Sequence, residues 1–411
     1  MRSYSRRVLK RRWRRARVLI GRPGRIFVKA PVPFILAFRN LVHDKTRLAA
    51  TLAGLTFAVV LVGLQLGLYL GVRKIITDMI DHTAAQVWIV PFGTQSIEDS
   101  FPLLGDHERQ QALATPGVER VVPLVVSFAD WDRPDGGITH VVVVGSDAED
   151  GGLAPWNLHG GDWTEIKSYK GVGIDRSYLD ELGVAGIGSR AGIDFGPQSH
   201  SLRVKALTEG IRSFTQAPYV FTTNSRAREF FGVPDDKSTF LLVKAAPQAD
   251  VEQVRKDIAA RLPDMEVLTT AEFRQRSIRH WLFRTGVGLA LIFGTILGVV
   301  IGVVIEAQTL YSATLDHIKE FAVLRMLGSS ARYVYRIIVA QASMISVAGF
   351  ALGALCVALV AHMSQETALP MVVPPALFLA MLIVSLAIGA FSAVIAVLKV
   401  LRVDPASVLM R

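Results

Sequence analysis

Four uninterrupted apolar stretches, one before and three after a long polar block, constrain the fold of this chain more than any other feature. Each is long enough for a helix, which rises about 1.5 Å per residue, to cross a hydrocarbon core about 30 Å thick. Buried helices of soluble proteins are usually shorter and carry a polar stripe, so the soluble alternative is disfavoured. The sequence predicts an α-helical polytopic membrane protein with four transmembrane helices, at residues 48–72, 286–307, 337–361 and 374–398.

The formal net charge of +10 arises at the N-terminal end of the chain. Residues 1–29 contain 12 Lys and Arg residues and no acidic residue. Such a segment can bind nucleic acid, but next to a transmembrane helix a basic segment typically sets topology and attracts anionic lipid. We predict that residues 1–47 form an Arg-rich cytoplasmic tail and a membrane-surface helix, with membrane lipid and not nucleic acid as the partner.

Basic residues in the short segments between the apolar stretches predict the orientation, because such segments stay in the cytoplasm. The loop 308–336 and the tail 399–411 are basic, whereas 362–373 has no Lys or Arg. We therefore expect both termini in the cytoplasm and residues 73–285 outside it. A cleaved signal peptide is the alternative for the first apolar stretch, but that stretch starts far from the N-terminus and is too long for one.

The polar block 73–285 has the pattern of a large extracytoplasmic α+β domain between transmembrane helices 1 and 2. Runs of β-branched and apolar residues bounded by Gly, Pro and Asp predict strands. Segments that start with Asp or Asn predict helices, because these side chains accept the first free N–H groups of a helix. The predicted strands are 87–90, 121–126, 141–144, 204–207 and 240–243, and the predicted helices are 106–114, 175–182, 224–231 and 250–262.

The sequence has no motif that indicates enzyme chemistry. It lacks a zinc-protease motif, a phosphate-binding loop and a nucleophile elbow. Cys356 is the only cysteine, so no disulfide can form within the chain, and the nine histidines lack metal-ligand spacing. We predict that the protein is not an enzyme and that it has no catalytic residue, no bound cofactor and no metal site.

Small residues recur at four-residue spacing in the transmembrane helices. This spacing gives a helix face without protruding side chains, on which two backbones approach closely. The glycines in this pattern are Gly63, Gly67, Gly294, Gly298, Gly302, Gly349 and Gly353. We expect these glycines to pack helices together and at least one of the faces to join two copies of the chain, with packing inside one copy as the alternative.

The loop 308–336 contains the most specific pattern in the chain. Its apolar residues at 315, 318, 322 and 326 share one side of a helix, and charged residues occupy the other side. This pattern predicts an amphipathic helix near the membrane surface, which Gly328 is suited to end. A plain connector is the alternative, but a connector has no need of an apolar stripe.

One segment of this loop resembles the signature of the FtsX-like (MacB-type) permease family of ABC transporters, namely Lys319-Glu320-Phe321-Ala322-Val323-Leu324-Arg325-Met326-Leu327-Gly328-Ser329. The order of one span, an outer domain and three further spans is also similar to this family over nearly the whole chain. Thr309-Leu310-Tyr311-Ser312 and Asp404-Pro405-Ala406 look like DevC-type exporter permeases. The Arg-rich tail departs from the family pattern, and no nucleotide-binding domain is fused to this chain, as one is in MacB.

The resemblance implies the permease subunit of an ABC exporter in the inner (cytoplasmic) membrane of a bacterium, acting as a homodimer. A separate ABC ATPase subunit would use ATP, so this chain would bind no cofactor. The cytoplasmic helix would seat in a groove of that ATPase. The residues that the resemblance assigns to this coupling are Asp316, Ile318, Lys319, Glu320, Phe321, Leu324, Arg325 and Gly328.

The resemblance also implies how such a permease works. ATPase-driven motion would pass through the helices to the periplasmic domain, a process called mechanotransmission. That domain would export a lipid-like or hydrophobic cargo with a periplasmic adaptor (membrane fusion protein) and an outer-membrane channel. The alternative is a regulator that uses the same motion to control a periplasmic hydrolase or sensor. A membrane-embedded enzyme is a third function class, but the polar residues within the spans lack His or Asp partners.

Overall fold

The computed structural model describes residues 32–99, 102–147, 151–168, 170–196, 198–320, 323, 331–367 and 369–400. Most of the Arg-rich tail and the C-terminal tail after residue 400 therefore lie outside the described residues. The α-helices are α1 Val32–His43, α2 Lys45–Asp81, α3 Asp106–Leu113, α4 Asn224–Phe231, α5 Val251–Arg261, α6 Thr270–Ile278, α7 Val287–Asp316, α8 Ala331–Met363 and α9 Pro375–Val400.

Four helices, α2, α7, α8 and α9, are long and apolar enough to cross a membrane by length and composition. Each contains one of the four apolar stretches. The helices α2 and α7 extend well beyond those stretches, to Asp81 and Asp316. Helix α2 starts after Asp44, whose side chain accepts a hydrogen bond from the Arg47 N–H and so satisfies one of the free donors of the first turn.

Helix α2 packs against the three other long helices. Leu55 and Val59 of α2 belong to one buried cluster with Leu310 of α7, Ile345 of α8 and Ile388 of α9. Apolar side chains on the other side of α7 stay exposed, for example Phe293. The four helices therefore form a bundle around α2.

The strands of the domain between α2 and α7 are β1 Val87–Pro91, β2 Leu104–Gly105, β3 Val118–Asp132, β4 Ile138–Ser146, β5 Leu158–Gly161, β6 Gly171–Asp175, β7 Arg190–Phe195, β8 Gln198–Thr208, β9 Tyr219–Thr222, β10 Lys237–Ser238, β11 Phe240–Ala245 and β12 Met265–Thr269. All but β2 and β10 form one mixed sheet of order β12-β1-β11-β3-β4-β9-β6-β8-β5. Strand β7 pairs with both β3 and β8, so β3, β4, β9, β6, β8 and β7 close into a ring.

Alternating side chains of the sheet enter different cores, as expected for strands whose successive residues point to opposite faces. Val125 and Val143 belong to a core with α4, whereas Val126 and Val144 belong to a core with α6. The second core also contains Met79 and Ile80 from the last turns of α2. The domain is thus built directly onto the end of α2.

The structure confirms the five predicted strands and three of the four predicted helices of the α+β domain. The prediction of a helix at 175–182 is wrong. Asp175 ends β6, and only a short 3₁₀ turn, Arg176–Tyr178, follows. The Asp175 carboxylate does accept the Ser177 N–H, as a helix-starting residue would, but it also accepts the hydroxyl of Thr208 at the end of β8 and the N–H of Ile211 in the loop that follows.

Candidate functional site

The inner end of the bundle is where the predicted coupling segment begins. Asp316 is the last residue of α7, and its carboxylate pairs with the guanidinium of Arg47 in the first turn of α2. Arg47 also lies 3.6 Å from the carboxylate of Asp44. An ion pair between exposed groups contributes little to stability, about 0 to 1 kcal/mol. Its consequence here is geometric, because it ties the start of α2 to the end of α7.

The coupling segment continues as a short helical turn after a break at His317. Ile318, Lys319 and Glu320 form this turn, and the Glu320 carboxylate lies 3.2 Å from the His317 ring. The Glu320 side chain is 65% exposed. The exposed Lys319 and Glu320 are therefore accessible to a partner. The remaining predicted coupling residues, Phe321, Leu324, Arg325 and Gly328, lie outside the described residues.

Three of the predicted packing glycines lie on α7 and face α2. A Cβ at Gly294 would lie 2.7 Å from the Gln65 side chain, one at Gly298 would lie 3.2 Å from Val62, and one at Gly302 would lie 3.0 Å from Ala58. Real Cβ atoms essentially never approach a neighbour closer than 3.0 Å, as one at Gly294 would, and the distances at Gly298 and Gly302 are tighter than most real Cβ contacts. Glycine therefore lets the two helices come this close.

The other four glycines also face neighbours in the same chain. Gly349 and Gly353 of α8 face Leu55 and Val59 of α2, Gly63 faces Val357 and Met381, and Gly67 faces Met371. Packing inside one copy thus accounts for all seven positions. The interface between two copies stays a prediction.

Glu306 is the only Asp, Glu, Lys, Arg or His in the four apolar stretches. The structure buries it completely, with one carboxylate oxygen 3.4 Å from the hydroxyl of Ser346. The hydroxyl of Ser385 in turn donates to the Ser346 carbonyl at 2.8 Å. These contacts join α7, α8 and α9. Glu306 is therefore enclosed by packing and does not line an open path between the described parts of the helices.

The outer end of α2 is anchored in the α+β domain. Met79 and Ile80 are fully buried in its core, at 1% and 0% exposure. Arg274 of α6 donates from its Nε to the Asp81 carboxylate at 2.6 Å, and the Thr270 hydroxyl donates to the Ala85 carbonyl at 2.7 Å. A movement of α2 must therefore move α6 and the adjoining sheet with it.

A second connection is made by the residues 364–367 and 369–373 between α8 and α9, which we name the outer strap. The strap crosses α2 at two glycines. Val372 donates its N–H to the Gly67 carbonyl at 3.2 Å, and a Cβ at Gly71 would lie only 2.2 Å from the Pro370 carbonyl oxygen. The main chains of strap and helix therefore touch, which only glycine permits.

The outer strap also contacts the α+β domain. The buried Arg212 donates from its guanidinium to the Gln365 carbonyl at 2.7 Å. Nearby, Phe214 of the domain lies with its ring centroid 4.7 Å from that of Trp281, in a cluster that includes Leu369 of the strap. The domain thus rests on α2 directly and on α8 and α9 through the strap.

Buried polar groups of the domain lie close to the arginine that contacts the strap. Burial raises the pKa of the Tyr178 hydroxyl to about 12, although the Arg212 guanidinium and the Ser213 backbone oppose this change. The Tyr219 hydroxyl is buried and donates a hydrogen bond to Glu98. Its burial, together with the charge of Glu98, raises the pKa of Tyr219 well above its ordinary value.

Sequence patterns indicate the coupling loop and the packing glycines but not the contacts that connect the helices to one another and to the domain. Local patterns do not indicate Arg47, Arg212 and Arg274, because their partners are distant in sequence. The acceptor of Arg212 is moreover a main-chain carbonyl, which any residue supplies. Within the part of the chain that the structure describes, no group of three or more His, Cys, Asp or Glu side chains is arranged to hold a metal ion.

Two family models match this chain. The MacB-like periplasmic core domain matches residues 48–261, more than half of the chain, and the FtsX-like permease C-terminal model matches residues 290–405. This chain belongs to the FtsX-like, MacB-like family of ABC transporter permeases. The family works in membrane transport, and membership implies an ABC ATPase subunit as a partner. Closeness to the DevC-type permeases stays a prediction.

Solved structures similar to this chain include the periplasmic region of MacB from Actinobacillus actinomycetemcomitans. The two are 13% identical, with a TM-score of 0.35, over 49% of this chain and 96% of that one. The extracellular domain of the ABC-type transporter YknZ from Gram-positive bacteria is also 13% identical, with a TM-score of 0.33, over 45% of this chain and 98% of that one. A search of curated proteins gives no match.

Proposed function

We propose that this permease is an exporter subunit that passes ATPase-driven motion through its helices to the α+β domain, which then moves a lipid-like or hydrophobic cargo outward. In this proposal the four apolar helices span the bacterial inner membrane with both termini in the cytoplasm. The observation that carries it is α2, one uninterrupted helix whose first turn contacts the coupling region and whose last turns are buried in the α+β domain.

The length of α2 supports this role. Its 37 residues span about 55 Å at 1.5 Å per residue, well beyond the roughly 30 Å of a hydrocarbon core. Both ends are tied to neighbouring elements, by Arg47 with Asp316 and by Asp81 with Arg274. A helix whose two ends are bonded to neighbouring elements can move as one rigid body, so a displacement at one end reaches the other. Rigid-body movement is a recurrent mode of coupling between distant sites.

The packing inside the helix bundle supports the proposal that the cargo does not pass between the helices. Glu306 is enclosed by packing against Ser346, and the packing glycines are covered by side chains of neighbouring helices, which are apolar except for Gln65 at Gly294. A path for polar cargo needs polar groups that face water or one another. For a lipid-like or hydrophobic cargo we propose uptake on the outer side, with a periplasmic adaptor and an outer-membrane channel as further partners.

The proposal includes two partners on the inner side, and the accessible end of the coupling segment supports the second of them, the ATPase. A second copy of the chain completes the permease, and a separate ABC ATPase subunit binds the segment from Asp316 to Gly328. The apolar residues Ile318 and Leu324 would enter a groove of the ATPase, while the exposed charges of Lys319 and Glu320 fix the register.

The proposal is tested by measuring motion of the α+β domain when ATP binds. Ile138 is 63% exposed at the start of β4 and can carry a spin label in a Cys356→Ala background. In a complex with the ATPase subunit, the distance between the labels of two copies should change when ATP is added. Leu324→Ala combined with Glu320→Lys should abolish this change, because truncation of a buried apolar anchor commonly costs about 2 kcal/mol or more of binding.

The matched control is Asp264→Lys, which makes the same kind of charge change at an exposed turn of the α+β domain. This variant should keep the wild-type distance change. A wild-type response in the Leu324 and Glu320 double variant would exclude the coupling segment as the point of force entry. Motion without any release of lipid-like cargo, in a complex that contains the adaptor, would favour the regulator of a periplasmic hydrolase or sensor.

A further inference from the structure

The Arg279–Arg284 turn carries the chain from α6 of the α+β domain into α7. The turn is π-helical, so its hydrogen bonds join residues five apart, and residues four or five apart lie near one side of it. Arg279, Phe283 and Arg284 share one side and are exposed, whereas Leu282 is completely buried. The turn thus presents two guanidinium groups and one aromatic ring on its exposed side.

The buried Leu282 fixes the orientation of this turn. Its side chain packs with Val72 and Ile76 of α2 in one cluster. A Cβ at Gly288 would lie 2.6 Å from the Leu282 carbonyl oxygen, so the main chain of the turn lies directly against the start of α7. The exposed side chains of the turn are therefore held in place where the domain joins the bundle.

The turn lies at the level of the outer membrane interface in the proposed function. It directly precedes the apolar stretch of α7. Tyr69 and Trp281 adjoin the cluster of Leu282, and Tyr and Trp are enriched at membrane interfaces because their rings are apolar with one polar group. Arg73 is exposed on α2 and follows Val72 of that cluster, so it lies at the same level.

The basic groups at this level have no counter-charge among the described side chains. Arg274 and Arg276, on the preceding turns of α6, each form an ion pair. Arg73, Arg279 and Arg284 form none with any side chain that the structure describes. Basic residues beside membrane helices are commoner on the cytoplasmic side, so a topology signal does not account for these three. They are available to an anion from outside the chain.

We infer that the exposed side of the Arg279–Arg284 turn binds the phosphate of an anionic lipid in the outer leaflet. Guanidinium groups bind phosphate through paired hydrogen bonds, and the apolar stem of an arginine can lie along acyl chains. Phe283 and exposed apolar side chains of α7, such as Phe293, offer a surface to those chains. The inference rests on the proposed function, because it needs α7 to span the membrane with the α+β domain outside.

The test uses the full chain with the photo-crosslinking amino acid benzoylphenylalanine at position 283 or, in a separate variant, at position 293. Each variant is placed in nanodiscs of phosphatidylcholine with a minor fraction of phosphatidylglycerol and is illuminated. Mass spectrometry then measures the ratio of the two lipids in the adducts. Phosphatidylglycerol should be enriched several-fold over its share of the nanodisc at position 283, whereas adducts at position 293 should follow that share.

The role of the two arginines is tested by Arg279→Gln combined with Arg284→Gln. This change should lower the phosphatidylglycerol adducts at position 283 to the share of this lipid in the nanodisc. The matched control is Arg120→Gln combined with Arg190→Gln, which removes two exposed arginines of the α+β domain and should preserve the enrichment. Enrichment that persists without Arg279 and Arg284, or that is absent from the unaltered turn, overturns the inference.

Position 293 separates the failure of this inference from failure of the proposed function. If position 293 gives lipid adducts and position 283 gives none, the turn faces water, and the inference is overturned while the membrane helices stand. If neither position gives lipid adducts, α7 does not face lipid and the proposed function fails as well. Crosslinks from position 283 to a second copy of the chain instead of lipid would identify a protein interface, and the lipid assignment would be wrong.

Discussion

At the scale of single residues, the glycines of the long helices differ in which neighbouring atom an added Cβ would meet. At Gly298 the nearest neighbour is a methyl group of Val62, which can move, whereas at Gly71 it is the carbonyl oxygen of Pro370 in the outer strap. A main-chain atom moves only with the rest of its segment. The same chemical change should therefore have different consequences at the two positions.

The Gly71→Ala variant should lower the stability of the chain by about 1 to 3 kcal/mol, the usual cost of overpacking. The new Cβ would lie 2.2 Å from the Pro370 oxygen and would push the outer strap off α2. The apparent melting temperature in detergent measures this effect. Gly298→Ala, whose Cβ would lie 3.2 Å from Val62, is the control and should change it much less. Equal losses would show that the strap does not press on α2.

A second prediction concerns the buried hydroxyl of Tyr178. Its pKa is raised to about 12 by burial, whereas a tyrosine in an unfolded chain has a pKa near 10. Below about pH 10 the hydroxyl is protonated in both states, and its full contribution to the free energy of unfolding is present. As the pH rises towards 12 the unfolded state ionises first, so this contribution is lost. The difference corresponds to about 2 to 3 kcal/mol. Melting temperatures of the wild type should fall over this pH window more than those of Tyr178→Phe.

The exposed Tyr335 provides the control for this pH dependence. Tyr335 is 43% exposed at the start of α8, so Tyr335→Phe should follow the wild-type curve. If Tyr178→Phe also follows the wild-type curve between pH 10 and 12, the hydroxyl of Tyr178 is not buried in the protein in solution.

At the scale of elements, the sequence predicts those parts of the fold that follow a local pattern. The four apolar stretches each lie in one long helix, and the runs at 87–90 and 240–243 are central strands. The extension of α2 to Asp81 could not be predicted, since residues 73–81 have no continuous apolar pattern. Their helix is stabilised by the burial of Met79 and Ile80 in the core of a domain that forms from distant residues.

The candidate site, like the fold, could be predicted from the sequence only where it follows a local pattern. The signature around Glu320 identifies the coupling segment locally, but its connection to Arg47 joins residues 269 positions apart. The outer strap has no sequence pattern, because its contacts use the main-chain groups of Gln365, Pro370 and Val372. The helix predicted at 175–182 is wrong for a related reason: Asp175 is held by strand and loop contacts that a local pattern does not contain.

The continuity of α2 gives a prediction at the scale of this element. Lys74 is exposed, lies beyond the apolar stretch and precedes the domain core. Lys74→Pro should kink the helix there, because proline removes one helical hydrogen bond and clashes with the preceding turn, at a cost of about 3 kcal/mol or more. ATPase binding should persist, whereas the ATP-dependent distance change at position 138 should be lost or strongly reduced.

Lys74→Ala removes the same charge without breaking the helix and should preserve the distance change. A full response in Lys74→Pro would show that force does not travel along α2. The Arg279–Arg284 turn, which leads from the domain into α7, and the contact of Arg212 with the outer strap would then be further routes among the described contacts.

At the scale of the whole molecule, the α+β domain is joined to one end of the helix bundle. Helix α2 and the Arg279–Arg284 turn before α7 carry the chain between them, and the outer strap makes a third contact. In the sequence, the basic residues 1–29 precede α2, whereas the α+β domain follows it. This arrangement predicts one orientation in the membrane.

A reporter that is active only outside the cytoplasm should be active when inserted at Gly151 and inactive when fused after Arg411. Gly151 suits an insertion, because it lies in a turn with a positive φ of 87° and with no atom within 4 Å of a Cβ position. A reporter that is active only in the cytoplasm should give the reverse pattern at both sites, which controls for misfolding of either fusion. Short basic segments retained in the cytoplasm are the physical reason for this orientation. Cytoplasmic activity at Gly151 would place the α+β domain on the same side as the coupling segment, and the helices could then pass no motion across the membrane.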